Sequence, residues 1–417
     1  MTYLDIETLI ADRSTKIIVC CGSGGVGKTT LAAALGVRAA EQGRRVVTLT
    51  IDPARRLAQS LGLHELDNVP RQVAGMKLKK RADGVKNEGE LHAMMLDMKR
   101  TFDEIVEAHA SPAKAAQILA NPFYQSLSSS FAGTQEYMAM EKLGQLRASG
   151  QWDLIVVDTP PARSALDFLD APARLARFLD GRFIRMLLVP AKVGSRSYTK
   201  VMQAGLGLVT GTMMKLLGTQ LLTDVQTFVA AMDSMFGGLR QRADATAKLL
   251  RAPGTVFVVV ASPEPDALRE ASYFVARLVE EDMPLAGVVV NRVHRSTVPE
   301  ITAVNALSAA EALDGEDGEL AGDGGADGNA DGNADGNADG ALTAGVLRVH
   351  AQLLTMHATE QRRVDGFALA HPNVLLASAR ALAQDVHDLN GLRTLGDALC
   401  EAHLEGGCAK HTRREVV

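Results

Sequence analysis

Residues 22 to 30 read Gly-Ser-Gly-Gly-Val-Gly-Lys-Thr-Thr, between an apolar run, Ile17 to Cys21, and a helix-forming stretch that begins near Lys28. A glycine loop in that position can turn successive backbone N–H groups inward around a phosphate, and the helix adds the positive end of its dipole. Gly24, Gly25, Val26 and Gly27 supply the cradle, and Lys28 brings a charge to the β- and γ-phosphates. Thr29 offers a hydroxyl ligand to Mg²⁺, with Thr30 beside it. A plain glycine turn would also join the strand to the helix, but it leaves the lysine unexplained. The chemistry implied is the binding of ATP with Mg²⁺.

Two carboxylates are candidates for the same site. Asp158 ends the apolar run Leu154 to Asp158, where it would hold the magnesium through water. Asp52 lies in Ile51-Asp52-Pro53-Ala54-Arg55-Arg56, at the end of another strand, and is placed to orient or deprotonate an attacking water. Lys28 and Asp52 are thus the candidate catalytic residues. An Asp-Pro pair also suits a helix N-cap, which is the competing role for Asp52.

The elements that must position these groups follow from apolar periodicity. Strand-like runs occur at Lys16 to Cys21, Arg45 to Ile51, Leu154 to Asp158, Val256 to Ala261, Gly287 to Asn291 and Val374 to Ala377. They are nearly continuous in apolar residues and separated by long helical stretches, as in a parallel sheet covered on both faces. The expected fold is α/β, a doubly wound, mostly parallel sheet with an inserted helical subdomain, forming one domain over residues 14–417. No strand-like run is evident in 88–150 or 173–250, which read as helical insertions. In the first, Met94, Met98, Phe102 and Ile105 fall on one helical face; the second carries the apolar run Gly205 to Leu222.

Residues 314–345 hold tandem Ala-Asp-Gly-Asn units with nothing to build a core, and read as a disordered acidic loop. The segment 314–339 alone contributes nine carboxylates and no Lys or Arg, so setting it aside turns the net charge of −5 into +4. Neither value is the basic excess of a nucleic-acid binder, and the small run Lys77, Lys79, Lys80 and Arg81 reads as a solvated loop. Four cysteines make no disulfide framework, and neither a signal peptide nor a membrane-spanning run is evident, so a cytoplasmic location is expected.

Taken together, GSGGVGKTT, IDPARR, VDTPPARSALDFL and AGTQEYMAMEKL resemble the ArsA-like ATPases, which include arsenite-pump ATPases and the ATPases that escort tail-anchored membrane proteins. LDMKRTFDEIV and QDVHDLNGL look closest to an actinobacterial branch. The resemblance implies a water-activating role for Asp52, a switch segment at Thr159 to Leu166, adenine recognition by Asn291, and a loop near Ala379 to Val386 closing over the base. It also implies a dimer, either a homodimer or a heterodimer with a paralogue, and a hydrophobic or membrane-protein client. An exporter-energising subunit and a weakly hydrolysing regulatory partner are the alternatives.

Three departures qualify this. Ser23 stands where the family carries a lysine that reaches across the dimer, which favours a heterodimer or slow turnover. The helical insertions contain no cysteine, against arsenite binding, which needs converging thiolates. The family's zinc-binding CxxC pair is missing. The C-terminal Cys400, His403, Cys408 and His411 have a spacing that could bind zinc or could belong to a frayed tail.

Overall fold

The computed structural model describes residues 3–51, 56–78, 88–122, 124, 125, 134–160, 241, 242, 244–296, 298, 300–319 and 333–406. Among these residues, eight strands form one sheet in the order β3-β4-β2-β5-β1-β6-β7-β8. They are β1 (Ile17–Gly22), β2 (Arg45–Thr50), β3 (Arg71–Gln72), β4 (Glu90–Met95), β5 (Leu154–Asp158), β6 (Thr255–Ala261), β7 (Leu285–Val293) and β8 (Leu376–Arg380). All pairings are parallel except that of the two-residue edge strand β3 with β4. Crossovers run outward from β1 in both directions, so β1 is the switch point of the sheet, where such folds bind ligands beyond the strand C-termini.

Among the described residues, ten helices cover the faces: α1 (Ile6–Ala11), α2 (Lys28–Glu41), α3 (Arg56–Ser60), α4 (Met98–His109), α5 (Pro112–Leu119), α6 (Thr134–Ala148), α7 (Pro265–Glu280), α8 (Ala303–Glu319), α9 (Asn333–Ala370) and α10 (Leu389–Gly406). One core layer joins the sheet to α1, α2, α3 and α10 through Ile10, Leu31, Leu35, Leu57 and Leu395. The opposite layer takes in α4 to α7 and the end of α9, through Phe102, Tyr137, Phe274, Val364 and Phe367. Because side chains alternate along a strand, the adjacent Cys20 and Cys21 fall into different layers. Burial pushes the Cys21 thiol up to about 12. Burial, and next the nearby Asp158 carboxylate, lift Cys20 well above the usual thiol range.

Several expectations are corrected. The segment from residue 88 opens with a strand, β4, placing Met94 in the sheet and starting helix α4 only at Met98. Its sequence, Glu-Leu-His-Ala-Met-Met, lacks the β-branched residues that mark the other strands, and parallel pairing with β2 along its whole length decides its state. The fold begins before residue 14: the Leu4 amide donates to the Leu376 carbonyl (2.9 Å), and Leu4, Ile6 and Ile10 are buried. The last strand starts at Leu376 rather than Val374. Helices α8 and α9 reach into both ends of the segment expected to be a loop, and Arg348 of α9 pairs with Asp314 of α8. At the second end Ala341, Leu342 and Ala344 favour helix; 320–332 lie outside the described residues. So does 161–240, which holds most of the second expected insertion and the end of the switch segment. No described helix is long and apolar enough to cross a membrane.

A buried cation fastens the sheet's lower edge. Arg44 is 1% exposed, and its guanidinium donates to the carbonyls of Ile10 (2.7 Å), Asp12 (3.1 Å), Asp153 (2.7 Å) and Thr15. Removing it leaves those carbonyls inside the fold without their donor. Arg44→Ala is expected to destabilise by about 3 kcal/mol, read as a lowered denaturant midpoint with unchanged slope.

Candidate nucleotide-binding site

The glycine loop leaves β1 at Gly22 and enters α2 at Lys28. Its shape depends on glycine at two points. Gly22 lies against β6, where a Cβ would sit 2.1 Å from the Val260 carbonyl oxygen. Gly27, the N-cap of α2, has φ +91°, and a Cβ there would meet the Asn291 carboxamide nitrogen at 2.4 Å. Val26 anchors the loop in the core, while Gly24 and Gly25 are exposed at its tip.

Lys28 is 6% exposed and folds back over the loop, its ammonium donating to the Ser23 carbonyl at 2.7 Å. Thr29 follows on the first turn of α2 and donates through Oγ1 to Asp158 Oδ2 at 2.7 Å; Thr30 is half-buried beside it. Asp158 is fully buried at the C-terminal end of β5, in register with Cys20 on β1 and Thr50 on β2. Thr50 Oγ1 donates to the same Asp158 oxygen at 2.9 Å. Next along the chain, Thr159 Oγ1 donates to the Cys20 carbonyl (2.9 Å), tying the start of the switch segment to β1.

Asn291 closes the far side of the loop. It is buried near the end of β7 and donates through Nδ2 to the Val26 carbonyl (2.9 Å), while its Oδ1 accepts from the Arg292 amide (3.0 Å). A carboxamide has two N–H groups and two lone pairs, so these contacts leave capacity for an adenine edge. Arg292, at φ +61°, donates to the Gly25 carbonyl at 3.0 Å. The segment expected to close over the base, Ala379 to Val386, begins inside β8, which runs to Arg380 because it pairs with β7 as far as Val293; the chain leaves the strand at Ala381, whose amide donates to the Val293 carbonyl (2.8 Å).

The structure therefore brings Lys28, Thr29, Asp158 and Asn291 around one loop. Asp52 lies outside the described residues, although its neighbour Ile51 donates to the Asp158 carbonyl at 2.9 Å. Sequence reasoning missed Thr50 and Arg292. A hydroxyl at the end of an otherwise apolar strand was the available signal for Thr50; nothing in the local sequence marks the left-handed backbone of Arg292.

A strand, a glycine loop holding its own lysine, and a buried aspartate reached by the following threonine form the nucleotide-binding arrangement of a P-loop fold. The family model described as anion-transporting ATPase matches residues 15–312, well over half of the chain. The chain belongs to the anion-transporting ATPase family. Among curated relatives, an ATPase GET3 of Malassezia globosa is 28% identical over 174 residues, 42% of this chain and 47% of that protein. An ATPase ASNA1 homolog of Cryptosporidium parvum is 25% identical over 289 residues, 69% of this chain and 68% of that protein. An ATPase get3 of Schizosaccharomyces japonicus is 25% identical over 291 residues, 69% of this chain and 77% of that protein. The chain thus spans about half the length of the first of these relatives and two thirds or more of the other two.

Of the C-terminal cysteine and histidine set, Cys400 lies against Glu7, its Sγ 3.1 Å from Oε2. The side chain of His403 and all of Cys408 and His411 lie outside the described residues, and no cluster able to hold a metal ion occurs among those described.

Proposed function

We propose that this protein hydrolyses ATP with Mg²⁺ in the cytoplasm, as a dimer, and couples hydrolysis to the handling of a hydrophobic client. The observation that carries the reading is the meeting of Thr29 and Thr50 on one oxygen of buried Asp158, directly beneath the loop that Lys28 overlies. These hard oxygen donors suit Mg²⁺, which bound here would neutralise charge on the terminal phosphates. Thr29 and Asp158 would hold it, Lys28 would neutralise the same phosphates, and the amides of Gly24 to Thr29 would orient them. Asn291 would read the base while keeping the loop closed against β7. Asp52 would position the attacking water.

Dimerisation and the client rest on the resemblance to tail-anchor escort ATPases. The family's description supports a second use of the same engine, energising an anion exporter. A soft arsenical ligand is disfavoured, because Cys20 and Cys21 point to opposite sides of the sheet with thiol pKa values raised by burial.

Steady-state phosphate release with and without Mg²⁺ tests the reading. Wild type is expected to turn over only with the metal, and Asp52→Asn to lose at least tenfold in rate at unchanged ATP affinity. Equal rates for wild type and Asp52→Asn would remove Asp52 from the chemistry.

A further inference from the structure

Helix α9, about 57 Å long at 1.5 Å per residue, has two unlike halves. Its C-terminal half buries Val364 and Phe367 in the main core. Its N-terminal half meets α8 in a two-helix arm, and among the described residues the buried side chains of its seam are Ala306, Ala310, Ala344 and Ala351. Alanines bury little area, so the arm alone has a thin core for so much ordered chain. Meanwhile Leu342, Val346, Val349 and Met356 stand on its surface, 67, 60, 66 and 42% exposed.

Together with half-buried Leu353 these positions are spaced 4, 3, 4 and 3 residues apart, the a/d spacing of a seam between helices. The flanking residues Thr343, Gly345, His350 and Gln352 carry no carboxylate, Lys or Arg. The only Lys or Arg from Ala341 to Met356 is Arg348, which pairs with Asp314. Where the arm meets the fold, a cavity of about 620 Å³ is lined by Leu307 and Met356 with His294, Glu264, Glu360 and Arg363.

We infer that this face of α9, which lies opposite the side that meets α8, pairs antiparallel with α9 of a second copy. The spacing is nearly symmetric about Val349, as a two-fold interface requires, because each position must face its own counterpart across the axis. In that register Leu342 of one copy comes level with Met356 and the cavity of the other. Asp339, near the N-terminal end of α9, comes within a turn of Arg362 and Arg363 of the other copy. Uncharged flanks let identical helices approach without like-charge repulsion. The four exposed apolar side chains of α9, with half-buried Leu353, offer about 450 Å² per copy, or roughly 900 Å² per pair, close to the lower edge of a stable interface. The inference deepens the dimeric reading above by giving the dimer a contact that needs no nucleotide.

Sedimentation equilibrium of the nucleotide-free full chain tests it. Wild type is expected to dimerise, and Val346→Lys/Val349→Lys to associate at least tenfold more weakly while melting like wild type at concentrations where both are monomeric. In a Cys400→Ser/Cys408→Ser background, Val349→Cys is expected to cross-link between copies on mild oxidation. Leu369→Cys, 83% exposed but off the seam, is not. A nucleotide-free monomer, a dimer indifferent to the lysines, or equal cross-linking at the control position each overturns the inference. If Mg-ATP alone dimerises wild type and the lysine variant equally, the arm contact falls while the ATP-gated dimer stands. If the chain is a monomer whose arm captures a synthetic apolar helix, and the lysines abolish that capture, the face serves a client and the pairing is refuted.

Discussion

Lys28→Ala is expected to cut Mg-dependent ATP hydrolysis by about 10³-fold, equivalent to roughly 4 kcal/mol of transition-state stabilisation. The magnitude follows from where the ammonium sits. It is buried at the mouth of the loop and bonded to the Ser23 carbonyl at 2.7 Å, so it is held beside the bound phosphates before they arrive. A preorganised charge in a site sheltered from water acts on developing phosphate charge with little screening. The fold should tolerate the change. Alanine is a good helix former at the first turn of α2, and the loop keeps its other braces, Asn291 to the Val26 carbonyl and Arg292 to the Gly25 carbonyl. The check is a pair of measurements, single-turnover hydrolysis and thermal melting. A hydrolysis rate within tenfold of wild type, with melting unchanged, would mean that the lysine does not act on the transferred phosphate.

The sheet and the loop were legible because their residues are locally consistent. Ile17 to Cys21, Leu154 to Asp158 and Val256 to Ala261 are rich in β-branched residues and find parallel neighbours on both sides. GSGGVGKTT carries glycine where a left-handed turn is needed and lysine where a charge is useful. β4 was not legible, since nothing in Glu90 to Met95 prefers a strand until β2 lies beside it. The second hydroxyl on Asp158 was hidden for a similar reason. Thr50 reaches that carboxylate only because parallel pairing puts it level with a residue 108 positions away. Asn291 shows the mixed case: its type suggested base recognition, whereas its contact with Val26, 265 residues distant, adds a brace on the loop that no local pattern contains. The N-terminal boundary was missed because Leu4, Ile6 and Ile10 are too few to form a pattern, although α2 and β8 offer them a place.

The second large effect concerns the buried carboxylate, because a substitution there can separate charge from shape. Asp158→Asn keeps the side-chain outline, and a carboxamide oxygen can still accept from Thr29 and Thr50, which now converge on Oδ2 at 2.7 and 2.9 Å. The strand register and the Thr159 anchor on the Cys20 carbonyl should persist, so melting should shift by only a few degrees. What disappears is the negative charge. Hydrolysis is expected to fall about 10²-fold, and Mg²⁺ should no longer tighten ADP binding, while ADP alone binds as before. Retained magnesium dependence in Asp158→Asn would show that this carboxylate does not hold the metal.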